Sequence, residues 1–171
     1  MDPAQPAQSD DNSLALPEGD ISHILGLLEI LRHKNGKETI STLAAELQMD
    51  VGDTLSAVRG AEVLKLVHTT DGQVVLEPLG KKLIEADIND TKMILKEQMQ
   101  KLPIFKKIVE YLNHEEDQEV YREEFLEKLA ELLPNENAED SFHAFVEWGR
   151  YSELFGYNDD SEMFYLDNEE S

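Results

Sequence analysis

Two hydrophobic rhythms alternate along this chain of 171 residues, and they do so twice in the same order. Ile21, Ile24, Leu25, Leu28 and Leu31 fall at helical spacing and form one apolar stripe. Asp20 is placed to cap that helix, and Asn35 with Gly36 to end it. A second helix opens after Thr39 and Ser41 and turns Leu43, Ala44 and Leu47 inward. A third begins near Asp50 and carries Val51, Leu55 and Val58 at matching intervals. The period then drops to two. Residues 64–68 and 73–77 read as strands around Thr70, Asp71 and Gly72, a tight-turn composition. The second half repeats the series. Ile104, Ile108, Tyr111 and Leu112 share one face, and Phe125, Leu126, Leu129, Leu132 and Leu133 the next. Phe142, Phe145 and Val146 define a third helix, capped by Asn135 or Asn137. Residues 154–157 and Met163–Leu166 then read as strands around Asn158, Asp159 and Asp160.

Three helices followed by a hairpin, twice over, describe a mainly α (α+β) chain: two tandem winged-helix-like lobes joined by a connector helix. The turns lie about 90 residues apart, as in a duplicated domain. On this reading residues 1–20 are a disordered tail or linker, because Pro3, Pro6, Pro17 and Gly19 interrupt a polar stretch with little to bury. The first lobe spans 21–77, a basic connector 78–103, an acidic second lobe 104–166, and a short tail 167–171. The connector breaks near Asp87, Ile88, Asn89 and Asp90. Ile88, Leu95 and Leu102 recur every seven residues with Met99 beside them. That seam suits a helix packed across both lobes, or a dimer contact; three steps are too few to prefer the dimer.

Charge narrows the partners. Thirty-seven acidic residues face fifteen basic ones, for a net charge of −22. Residues 1–20 carry −5, 21–80 −3, 81–107 +3 and 108–171 −17. Phosphate backbones and anionic lipid are repelled by such a balance. Lys92, Lys96 and Lys101 of the basic connector are expected to lie against carboxylates of the second lobe or of a partner. A winged helix reads DNA through its third helix. Here those helices offer Arg59 and Lys65 against Asp50, Asp53 and Glu62, and Arg150 against Glu136, Glu139, Asp140 and Glu147. Protein contact suits them better than nucleic acid. The absence of cysteine removes disulfides and thiol chemistry and fits a reducing cytoplasm. No apolar run reaches the ~18 residues of a membrane span, so direct membrane insertion is not expected.

Chemistry-bearing motifs are absent. The nine glycines form no phosphate-cradling loop, and His23, His33, His68, His114 and His143 show no metal-ligand spacing. No catalytic residue, cofactor or metal is expected, and the chain reads as a non-enzyme. The distinctive stretch is 147–157, which holds the only Trp, with Arg150 and three other aromatics. In one reading Trp148 and Phe155 enter the core, Gly149 allows close packing and Arg150 meets a carboxylate. In the other, Trp148, Arg150, Tyr151, Phe155 and Tyr157 form a contact patch, since aromatic residues and Arg are enriched in binding hot spots.

Several segments carry a resemblance: Leu25-Gly26-Leu27-Leu28-Glu29, Leu76-Glu77-Pro78-Leu79-Gly80, Glu85-Ala86-Asp87-Ile88, Lys96-Glu97-Gln98 and Trp148-Gly149-Arg150-Tyr151. From about residue 21 to 166 the chain resembles the AAA-associated C-terminal domain of ATP-binding subunits in nitrate/sulfonate/taurine/bicarbonate-type ABC transporters. The resemblance implies a cytoplasmic regulatory or accessory module, partnered by such a subunit or by a sister protomer, a homodimer being one form. It assigns no catalytic residues, and the ATPase core itself is missing from the sequence. A second hypothesis is a stand-alone winged-helix regulator, transcriptional or an acidic nucleic-acid mimic. With no glycine-rich loop or its lysine, the purified chain is expected neither to bind nor to hydrolyse ATP. Calorimetric titration checks this, and saturable micromolar binding would refute it.

Overall fold

The computed structural model describes residues 14–167; the tail readings of residues 1–13 and 168–171 lie outside them. Among the described residues the protein is mainly helical, with eight α-helices and two small antiparallel sheets. This is the α+β class read from the periodicities. It divides into two compact units, Leu16–Ile94 and the chain from Leu95 onward, which also takes in the described residues 14–15, with the main division inside one helix.

In the first unit, α1 (Ile21–His33) buries Ile21, Ile24, Leu27, Leu28 and Leu31. Asp20 caps it by accepting a hydrogen bond from the Ser22 amide at 2.9 Å. Asn35 and Gly36 then adopt left-handed backbone, with φ of 61° and 89°, and release the chain into β1 (Lys37–Thr39). Thr39 caps α2 (Ile40–Leu47), and Asp50 caps α3 (Val51–Val63), each accepting from an amide three residues on. The inner face of α3 is Thr54, Ala57, Val58 and Ala61. Val51, read from spacing as an inward residue, is 52 % exposed because it begins the helix beyond the core. β2 (Val67–Thr70) and β3 (Gln73–Leu76) form a hairpin through Asp71 and Gly72, both left-handed, as a two-residue turn requires. β1 completes the sheet in the order β1-β3-β2.

Residues 17–20 are not tail. Pro17 is buried, and the Glu18 carbonyl lies 2.0 Å from where a side chain on Gly60 would begin. Only glycine at that point of α3 lets the main chain pass. Downstream, α4 (Pro78–Glu85) packs on α1. It ends at Ala86, and α5 (Ile88–Lys101) starts again after Asp87 accepts the Asp90 amide at 2.9 Å. The interruption expected near Asp87 is therefore a capped helix break. In α5, Leu95 and Met99 are buried and Leu102 follows them inward, but Ile88 is 74 % exposed. The seven-residue seam loses its first member, which stands in the first turn of the helix.

The second unit repeats the order. α6 (Pro103–Asn113) is followed by a short 3-10 turn, β4 (Glu119–Tyr121), α7 (Arg122–Leu132), α8 (Ala138–Ser152), β5 (Phe155–Asn158) and β6 (Met163–Leu166). Asn137, one of the two cap candidates, accepts the Asp140 amide at 3.0 Å. The strand order β4-β6-β5 matches that of the first sheet. β1 and β4 escape a pattern reading because three residues are too few to show a period.

The third helix of each unit ends in the same way. Lys65 and Glu153 both have φ of 65°. The next residue, Leu66 or Leu154, returns its N–H to Ala61 or Gly149, closing the helix end in a Schellman-type pattern. The same leucine then accepts from Glu77 or Asp167 at the far end of its hairpin. This stop delays β2 to residue 67, whereas alternation alone starts it at 64.

On the second unit, half-buried Tyr111 of α6 lies under Lys128, whose Nζ is 5.2 Å from the ring centre. Burial, followed by Glu115, Glu124, Glu127 and Glu131, pushes the Tyr111 hydroxyl from 10.0 up to about 12. Below pH 10 the folded and unfolded chains both keep that proton. Between about pH 10 and 12 the unfolded chain releases it first, so stability falls as pH rises. Tyr111→Phe is expected to flatten this alkaline limb in denaturation curves at pH 9–11.5, with little change at neutral pH.

Candidate functional site

The stretch 147–157 runs from the last turn of α8 into β5, and the structure separates its members. Trp148 is 2 % exposed and Phe155 1 %. A side chain on Gly149 would begin 2.6 Å from the Phe155 Cβ, so the helix end can rest on the strand only where no side chain intervenes. Phe155 joins a continuous ring cluster. It contacts Phe164 with centroids 5.2 Å apart, Phe145 at 6.1 Å and Phe105 at 6.3 Å. Phe125 stacks on Phe164 at 4.1 Å. Trp148 and Phe155 are therefore core residues rather than a contact patch.

Three members remain at the surface. Tyr151 is half-buried. Tyr157 is half-buried too, its ring set edge-on to Phe142 with centroids 5.0 Å apart. Burial, then Glu162, raises its hydroxyl above the ordinary tyrosine range. Arg150 is exposed and directed at its own hairpin: Nη2 donates to the Tyr157 carbonyl at 2.7 Å and lies 3.7 Å from Asp159 Oδ2. The carboxylate partner expected for Arg150 is Asp159, at the tip of the hairpin. Asn158 Oδ1 orders that tip by accepting the Asp160 and Ser161 amides at 2.9 and 3.1 Å.

Pattern reading passed over Arg122. Its guanidinium lies 5.1 Å from the Phe142 ring centre and donates to Glu139, while its amide donates to the Glu162 carbonyl at 2.9 Å. The signal was available: an arginine inside an acid-rich run has carboxylates to choose from. Of the connector lysines, Lys92 and Lys96 are half-buried and Lys101 is exposed.

The exposed faces of the third helices are poor in cations. α3 carries one, Arg59, which stands 3.8 Å from Glu18. α8 exposes Glu139, Asp140, His143 and Glu147 beside Arg150. Among the described residues, no group of three His, Cys, Asp or Glu side chains is arranged to hold a metal ion. No described helix is long and apolar enough to cross a membrane.

These features define a chain of two repeat-related α+β units in a sequence of net charge −22. The model of the C-terminal AAA-associated domain matches residues 41–158, and the chain belongs to that family. The match reaches into both units and takes in the core tryptophan, Arg150 and Tyr157. No curated protein and no solved structure matches the chain.

Trp148→Ala is expected to destabilise the second unit by about 3–5 kcal/mol, the usual cost of truncating a large core side chain. Arg150→Ala should cost under about 1 kcal/mol, as the guanidinium and its Asp159 partner are solvent-exposed. Thermal melts of the two variants measure the contrast, and equal losses would contradict this division of roles.

Proposed function

We propose that the chain is a non-enzymatic accessory or regulatory module that contacts the ATP-binding subunit of an ABC-type importer. The resemblance extends to importers of nitrate, sulfonate, taurine or bicarbonate-type anions. We read each unit as a winged helix turned to protein recognition. On this reading it works in the cytoplasm, near the membrane only through its transporter, and needs no cofactor of its own. A sister copy is the alternative partner.

The observation that carries the reading is the state of the third helices. Arg59 is matched by Glu18, and Arg150 is spent on the Tyr157 carbonyl and Asp159. The remaining charge on α8 is acidic, and non-specific nucleic-acid affinity comes from several cations set against phosphates. A protein partner with a basic surface fits these faces; a duplex does not. Lys101, in the last turn of α5, with half-buried Lys96 five residues before it, adds a smaller basic element for carboxylates of the same partner.

The test is titration of the chain into the ATP-binding subunit from the same organism at about 50 and 300 mM salt, with a short DNA duplex in parallel. Saturable binding that weakens with salt is expected, with no duplex shift at physiological salt. Joint reversal of Glu139, Asp140 and Glu147 to lysine should weaken the protein complex by about tenfold or more. A duplex shift at sub-micromolar protein, with no binding to the subunit, would overturn the reading in favour of a transcriptional regulator.

A further inference from the structure

We infer that residues 17–19 form a releasable latch on α3. Three observations meet at this segment. The first is its close approach. The Glu18 carbonyl occupies the space next to Gly60, and a side chain on Gly19 would begin 2.9 Å from the Ala57 Cα and 3.1 Å from the Ser56 carbonyl. The second is how little holds it there. Pro17 is buried, and Glu18 Oε1 stands 3.8 Å from Arg59 Nη1, with both side chains more than half exposed. Among the described residues no hydrogen bond ties the backbone of 17–19 to the unit. The first such bond in this part of the chain runs from the Ile24 amide to the Asp20 carbonyl. An exposed ion pair of this kind holds little, since solvent and salt screen it.

The third observation comes from the repeat. When the two units are aligned on their shared helix stop, Ala61 corresponds to Gly149 and Gly60 to Trp148. The second unit fills this position with its largest buried side chain; the first leaves it bare, and the Glu18 main chain and Ile24 Cδ1 of α1 close over it. The cover of α3 is thus a separate piece of chain, held by packing and one weak charge pair. Segments so held open locally while the rest of the domain stays folded. Opening would uncover Gly60 and the backbone at Ser56 and Ala57, and free Arg59, the only cation of α3.

The native chain has no cysteine, so one introduced thiol reports without background. In the full chain, Ala57→Cys places it beneath the latch at a position that is 0 % exposed, and Leu28→Cys places a control in the core of α1. Labelling by an aromatic disulfide reagent is followed for each. The latch predicts that Cys at 57 reacts about 100-fold faster than Cys at 28 under native conditions, because it needs only local opening. Adding Glu18→Lys should quicken the reaction at 57 by about fivefold, leaving the rate at 28 and the melting temperature unchanged. If the Ala57→Cys variant folds poorly, hydrogen exchange of the Ala57 amide against the Leu28 amide is the second measurement, with the same order of rates expected. Equal rates at the covered and core positions, or a Glu18→Lys effect of the same size on both, would show that the segment is an integral part of the unit and overturn the proposal.

Discussion

One backbone reversal, made once in each unit, governs where the other elements can go. Lys65 and Glu153 take a left-handed conformation that costs a side-chain-bearing residue about 1–2 kcal/mol. The leucine that follows each is fully or nearly fully buried, and such burial contributes about 1.5–3 kcal/mol. Leu66 and Leu154 also close the helix end through their amides and anchor the return strand through their carbonyls. Loss of the reversal would let the helix run on, and the hairpin would miss the apolar face it covers. In the second unit the requirement is tighter still, because Gly149 must meet Phe155 directly after the turn.

Much of this was legible from residue spacing. The helices, both hairpins and the caps at Asp20 and Asn137 follow from local chemistry, in which a short polar side chain satisfies the first free amides of a helix; Thr39 and Asp50, read only as helix starts, are caps of the same kind. The core role of Trp148 and Phe155 was one of two open readings, and packing around Gly149 decides between them. What stayed hidden depends on contacts distant in sequence. Nothing near Glu18 in the chain announces that its carbonyl lies on α3; that relation is set by the missing side chain of Gly60, more than forty residues on. The three-residue strands β1 and β4 draw their identity from their partners. Arg122 was overlooked because its ring and carboxylate neighbours, Phe142 and Glu139, belong to a different helix.

The arginines have a bearing on the electrostatics beyond their own contacts. Arg122 and Arg150 are the only arginines of the second unit, and both are engaged within it. The surplus carboxylates on α7, α8 and the second hairpin are therefore left to solvent and counterions. At physiological ionic strength their influence extends about 8 Å from the surface, which governs which partners can approach before any contact forms. A field of this sign favours encounter with basic protein surfaces and slows encounter between two copies of the chain.

The hydrogen bond from Arg150 to Tyr157 has a further effect, on the behaviour of the protein at high concentration. β5 is an edge strand, and edge strands offer unpaired backbone groups to any neighbouring chain that can extend the sheet. In a strand of only four residues, Arg150 already occupies the Tyr157 carbonyl. The guanidinium also sets a bulky charged group beside the strand, where an incoming backbone would have to displace it. An arginine that adds little to folding stability can in this way act as a guard against aggregation.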